Sequence, residues 1–199
     1  MKILLVGASG TIGRAVAAEL SARHELVTAG RSSGDVRLDL SDAASIAKAY
    51  ADVGQIDAVV CAAGNVTFKP LAELSQEDFE VGLQDKLMGQ VNLVQLGRDH
   101  VRDGGSFTLT GGVLDRDPIV AGASASLVNG ALNAFALAAS IELPRGQRIN
   151  VVSPGVIEEA MEAYGAFFRG FEPVPAARAA RAYAKSVEGR LSGRVLSVD

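Results

Sequence analysis

The chain contains no tryptophan, one cysteine and two histidines among its 199 residues. A lone cysteine forbids an internal disulfide, and Cys61, His24 and His100 lack the spacing of a metal-ligand set. These scarcities predict a metal-free protein of a cytoplasmic compartment. Clustered positive charge is missing too: the net charge is -4 and the lysines and arginines are scattered. That excludes the electrostatic footprint of nucleic acid or an anionic membrane surface. At the amino terminus the apolar run of MKILLVGASG breaks at glycine, too early for a signal peptide, and reads as a buried strand. No charged residue occurs from 118 to 141, a stretch long enough to cross a bilayer. Its polar Ser124, Ser126, Asn129 and Asn133, with Gly122 and Gly130, favour a soluble helix instead.

What is present is ample apolar material, 48% of residues against 21% charged, enough for one domain spanning residues 1–199. Short β-branched or leucine-rich runs at 3–6, 26–29, 36–38, 56–60, 106–110, 149–152 and 194–198 predict strands. Between them, helical spacing covers 11–22, 42–52, 76–97, 123–143, 158–167 and 176–188. The strands are apolar on both faces, as strands sandwiched between helices must be. This alternation predicts an α/β fold, a single-domain, Rossmann-like, doubly wound parallel sheet of about seven strands with helices on both faces. Only RSSGD separates the second strand from the third, too short for the usual crossover helix, so a loop is expected there.

The stretch VGASGTIG follows the first strand and opens the first helix. Its residues Gly7, Ser9, Gly10, Thr11, Ile12 and Gly13 are candidates for holding a pyrophosphate, because glycine lets backbone N–H groups and the helix terminus approach the anion closely. Tight strand-to-helix turns also use glycine for packing alone. At the end of the second strand, a carboxylate would suit the ribose hydroxyls of NAD; the chain has Arg31, Ser32 and Ser33 instead. A guanidinium flanked by hydroxyls suits the extra phosphate of NADP(H), the alternative being a solvated turn.

These residues, with CAAG after the fourth strand and INVVSPGV after the sixth, resemble the short-chain dehydrogenase/reductase family across essentially the whole chain. The glycine spacing looks like that of its divergent branches. The resemblance implies that Asp39 and Leu40 contact adenine, that Ala62, Ala63 and Gly64 back the adenine ribose, and that Pro154, Gly155 and Ile157 border the nicotinamide. It also implies a homodimer or homotetramer paired through the helices at 76–97 and 123–143.

The family's chemistry usually rests on asparagine, serine, tyrosine and lysine. Matched segment by segment, this chain has Lys86 for the asparagine, Gly111 for the serine with Thr110 beside it, Ala125 for the tyrosine and Asn129 for the lysine. No local shift restores the pair, because the tyrosines are Tyr50, Tyr164 and Tyr183 and no lysine lies between Lys86 and Lys185. Lysine and asparagine have exchanged places, so Lys86 is expected to point at Asn129 and take over the lost lysine's work, proton donation included. The other reading makes Lys86 a surface lysine and Asn129 a helix-packing residue. Thr110 stands either as a group that orients a substrate oxygen or as an ordinary strand residue. Glu159 occupies a place where the family often has a threonine reaching the carboxamide. Met161, Tyr164, Phe167 and Phe168 form an apolar set near the expected substrate lid, with core packing the plainer explanation.

Two functions remain open on sequence. One is an NADP(H)-dependent oxidoreductase acting on a small carbonyl or alcohol substrate through an atypical proton relay. The other is a non-catalytic NADP(H)-binding sensor or scaffold.

Overall fold

Successive residues of strand β1 (Lys2–Val6) feed two different cores. Leu4 and Val6 join one cluster with Ile46, Tyr50, Leu93, Val128 and Leu132, while Ile3 and Leu5 join another with Val16, Leu20, Ala180 and Tyr183. The period of two along a strand thus distributes one apolar run over both faces of a sheet. Each such side chain contributes about 1.5–3 kcal/mol by leaving water.

The computed structural model describes residues 1–199. Strands β2 (Glu25–Gly30), β3 (Val36–Arg37), β4 (Ile56–Cys61), β5 (Val101–Thr110), β6 (Arg148–Pro154) and β7 (Arg194–Val198) join β1 in one parallel sheet, ordered β3-β2-β1-β4-β5-β6-β7. Helices α1 (Thr11–Ser21) and α7 (Ala176–Glu188) cover one face; α2 (Ala43–Val53), α4 (Gly89–Gly97) and α5 (Ala123–Ala139) cover the other. The strand order reverses between β1 and β4, and the crevice beyond their carboxyl ends is where such sheets take ligands. The anticipated seven-stranded α/β architecture is present.

Local signals set several boundaries. Asp42 caps α2 by accepting from the Ala44 N–H at 2.9 Å, and Ser75 and Asp78 form a reciprocal capping box at the start of α3 (Gln76–Val81). Between β2 and β3 the crossover helix is indeed replaced by a loop. The Asp35 carboxylate closes it, accepting from the Thr28 N–H at 2.8 Å and the Thr28 hydroxyl at 2.7 Å.

Three helices differ from their sequence limits. The run at 76–97 is interrupted by a π-helical segment, Gly82–Met88, between α3 and α4. The run at 123–143 ends at Ala139, and 158–167 contains only a 3-10 turn, Glu158–Ala160, and the four-residue α6, Met161–Tyr164. Helical spacing continues through all three regions, so periodicity alone did not mark the breaks. No helix is long and apolar enough to cross a membrane.

Candidate active site

The turn from β1 into α1 is built by close backbone approach. Gly7 has φ +85°, and a Cβ there would lie 2.7 Å from the Ala63 Cβ; a Cβ on Gly13 would lie 1.9 Å from the Gly7 carbonyl oxygen. Both positions therefore demand glycine for packing. No side chain caps α1 at Gly10, which leaves the first-turn amides open toward the crevice.

Two cavities meet above this turn and share Ala63 and Gly64. The outer one, about 200 Å³, is lined by Gly7, Ser9, Arg31, Ser32, Ser33, Asp39 and Leu40, among others. Here the Asp39 carboxylate accepts from the Ser41 hydroxyl at 2.7 Å and the Ser41 N–H at 3.0 Å, which holds its pKa below the usual carboxylate value. Asp85 is likewise engaged, by the Asn65 N–H and side-chain amide at 3.1 and 2.8 Å. Arg31 is exposed and bonded to no protein group, and Ser33 donates to the Ser9 hydroxyl at 3.3 Å. The free charge at the end of β2 is thus positive.

The inner cavity, about 230 Å³, is lined by Ile12, Ala62, Pro154, Gly155 and Ile157, with Lys86, Ala125 and Asn129 on its walls. Gly10 and Thr11 border the adjoining vestibule. Every residue expected to hold cofactor except Gly13 therefore lines one continuous cleft. Gly13 acts underneath, through the close packing just described.

Lys86 sits within the π-helical segment, a wider turn than the α-helix allows. Its ammonium donates to Asn129 Oδ1 at 2.9 Å and to the Gly111 carbonyl at 3.0 Å, and the Asn129 side chain donates onward to the Gly112 carbonyl at 3.1 Å. The Lys86 carbonyl is taken by the side-chain amide of Gln90 at 2.9 Å. That same amide bonds the backbone of Thr110 in both directions, N–H to Oε1 at 2.8 Å and Nε2 to the carbonyl at 3.1 Å. Gln90 is wholly buried and ties the π-helical segment to β5. Lys86 is partly buried, and the desolvation this brings lowers its pKa to about 8. The neighbouring Cys61 thiol is inert, pushed up to about 12 by burial.

Other positions differ from expectation. The Thr110 hydroxyl is not available to a substrate: it donates to the Cys61 carbonyl and meets the Tyr183 hydroxyl of α7, because alternate β5 residues face that helix. Gly111 and Gly112 both line the wall, but it is the Cβ position of Gly112 that faces Asn129. A Cβ on Gly112 would lie 3.0 Å from Asn129 Nδ2, whereas one on Gly111 would meet Val151 and Asn133. The Glu159 carboxylate accepts from the Ala176 N–H at 2.9 Å and so caps α7. Of the apolar set, Met161 and Phe168 pack into a core cluster, while Tyr164 and Phe167 flank Phe68 with ring centroids 5.9 and 5.7 Å away. Gln90, Phe68, Val66, Val113 and Leu114 were not among the sequence candidates. Only Gln90 carried a signal, a polar residue on the otherwise apolar inward side of its helix.

A short-chain dehydrogenase/reductase family model described as Enoyl-(Acyl carrier protein) reductase matches residues 2–188. The chain belongs to the short-chain dehydrogenase/reductase family. Among solved structures, this short-chain dehydrogenase/reductase is similar to the protein lin1944 from Listeria innocua, 54% identical over 100% of both chains with a TM-score of 0.99. It shares its fold with a short chain dehydrogenase from Burkholderia cenocepacia J2315 in complex with NADP, 22% identical, TM-score 0.87, covering 99% of this chain and 95% of that one. Among curated relatives, 2,3-dihydro-2,3-dihydroxybenzoate dehydrogenase of Escherichia coli K12 is 30% identical over 132 residues, 63% of this chain and 53% of that enzyme. The hydroxynaphthalene reductase-like protein Arp2 of Metarhizium brunneum is 24% identical over 79% of this chain and 68% of its own length.

Proposed function

We propose that the chain is an NADP(H)-dependent oxidoreductase of the short-chain type, acting on a small carbonyl or alcohol, with Lys86 as the proton-transferring group. The observation that carries this reading is the Lys86 ammonium held between Asn129 and the Gly111 carbonyl on the wall of the inner cavity.

The cleft fits a dinucleotide. The open first-turn amides of α1 suit a pyrophosphate, and the unpaired Arg31 with Ser32 and Ser33 suits a 2′-phosphate while Asp39 is occupied by its own loop. The NADP complex of the B. cenocepacia enzyme, and a further small-chain dehydrogenase in complex with NADPH at 22% identity, accord with that choice. Bound in this cleft, the nicotinamide supplies or accepts a hydride. Pro154, Gly155 and Ile157 would border it, and Ala62 to Gly64 would back the adenosine side.

Lys86 does the remaining work. With a pKa near 8 it is mainly protonated at neutral pH, yet burial makes release of that proton easier than from an ordinary lysine. In reduction Lys86 would give its proton to the carbonyl oxygen, and in the reverse direction its neutral amine would take the hydroxyl proton. Asn129 and the Gly111 carbonyl fix the ammonium in place.

A second reading, a non-catalytic cofactor-binding protein, is favoured by Ala125 and Gly112, which bring no hydroxyl to the wall. Titration with NADPH and NADH, followed by NADPH oxidation with aldehydes, ketones and quinones, separates the two. Tight NADPH binding with turnover supports the enzyme; binding without turnover across the panel supports the alternative.

The assembly proposed is a homodimer or homotetramer paired through α4 and α5, supported by the exposed Leu96, Leu127 and Leu137 on those helices. A cytoplasmic setting accords with the single, buried, unpaired Cys61.

A further inference from the structure

Lys86 is the sole lysine, arginine or carboxylate lining either the inner cavity or its vestibule. Both of its acceptors, the Gly111 carbonyl and Asn129 Oδ1, are neutral, and no carboxylate pairs with it. The carboxylate next to it in sequence, Asp85, is turned to Asn65 instead. An ammonium carries three donors, so one N–H has no acceptor in the protein. Around it the walls are apolar: Val66, Phe68, Val113, Leu114 and Phe168, with Tyr164 beside Phe68 at the rim. Ala125 and Gly112 offer no hydroxyl that would compete for a substrate oxygen. A partly buried cation beside such walls has no counter-ion in the protein, and a ligand that brings negative charge to the cavity supplies one.

We propose that the cleft selects an oxo acid, a carbonyl compound with a carboxylate beside the reacting carbon and an apolar or aromatic body, and that Lys86 is the residue that sets this specificity. The uncommitted N–H is shared between a carboxylate oxygen and the adjacent reacting carbonyl oxygen, so the proton that meets the acid is also the one transferred, and the body lies against Phe68 and Phe168. A neutral ketone of the same shape fills the apolar walls but leaves the ammonium without its counter-charge. The carbonyl part of the proposal rests on the oxidoreductase reading; the selection of a carboxylate does not.

The test separates the two. The matched probes 3-phenylpropionate and 3-phenylpropionamide are titrated by calorimetry into the full chain, with and without NADP, using wild type, Lys86→Gln and Lys86→Arg. The expected result is acid bound on the order of tenfold tighter than amide by wild type. That preference should be kept by Lys86→Arg and lost by Lys86→Gln, with thermal melts showing all three folded. Equal binding of acid and amide by wild type, or a preference that survives in Lys86→Gln, overturns the proposal. NADPH consumption with phenylpyruvate and with its methyl ester is read separately. A binding preference for the acid without turnover of either compound upholds carboxylate selection and counts against the oxidoreductase reading. Equal turnover of acid and ester, with no preference in binding, does the reverse.

Discussion

A Cβ on Gly64 would lie 2.7 Å from the Lys86 Cγ, so the bare backbone at the end of β4 is what makes room for the lysine stem. Gly64 also has φ +135°, a conformation that residues with a Cβ rarely adopt. Gly64→Ala therefore strains the loop and displaces Lys86 together. The expected outcome is a loss of about 1–3 kcal/mol of stability and a fall in activity larger than that loss explains. Thermal denaturation and steady-state kinetics on the same preparation check it.

The lowered Lys86 pKa gives two pH dependences with definite sign. As a proton donor it must carry its proton, so carbonyl reduction should be level below about pH 8 and fall about tenfold per unit above it. Stability moves the other way. The folded chain releases this proton near 8 while the unfolded lysine keeps it to about 10.5, so between those values the unfolded state binds more protons and stability rises with pH. In denaturant unfolding from pH 7.5 to 10, the slope of stability against pH should be more positive in the wild type than in Lys86→Met, the buried Cys61 thiol giving both the same opposing slope above about pH 9.

At the other end of the cleft, Arg31 is the one free positive group beside the outer cavity. Arg31→Ala should weaken NADPH binding by about 10- to 100-fold, the worth of charge-assisted hydrogen bonds to a phosphate, and change NADH binding little. Fluorescence titration with the two cofactors measures both. Equal weakening of the two would assign Arg31 a general electrostatic role.

Glu159 gives a contrasting prediction, because its carboxylate caps α7 rather than facing the inner cavity. Glu159→Ala should cost about 0.5–2 kcal/mol of stability, the range for a lost helix cap. NADPH affinity should remain within about twofold. Thermal melts and cofactor titration in parallel distinguish this from a role in orienting the carboxamide.

Much of this arrangement was legible in the sequence because it depends on local order. Alternating apolar runs gave all seven strands, and the brevity of RSSGD gave the loop between β2 and β3. The exchange of lysine and asparagine was visible because both fall in segments whose register is fixed by neighbouring motifs. What escaped depends on contacts distant in sequence or on backbone direction. Gly112 rather than Gly111 faces Asn129 because the chain turns as it leaves β5. The Thr110 hydroxyl is claimed by Tyr183, 73 residues away. Glu159 reaches the start of a helix 17 residues on. The π-helical segment is invisible to periodicity, since a single widened turn barely changes which residues are apolar.

The proposed chemistry depends on Lys86 moving the proton. The most direct measurement is the single-turnover rate of NADPH oxidation at saturating cofactor and carbonyl substrate, wild type against Lys86→Gln, with NADPH affinity determined for both. The expected rate is about a hundredfold or more lower in Lys86→Gln, with NADPH binding far less affected and the fall-off above pH 8 abolished. A variant that reduces the substrate at the wild-type rate with the same pH profile would contradict it.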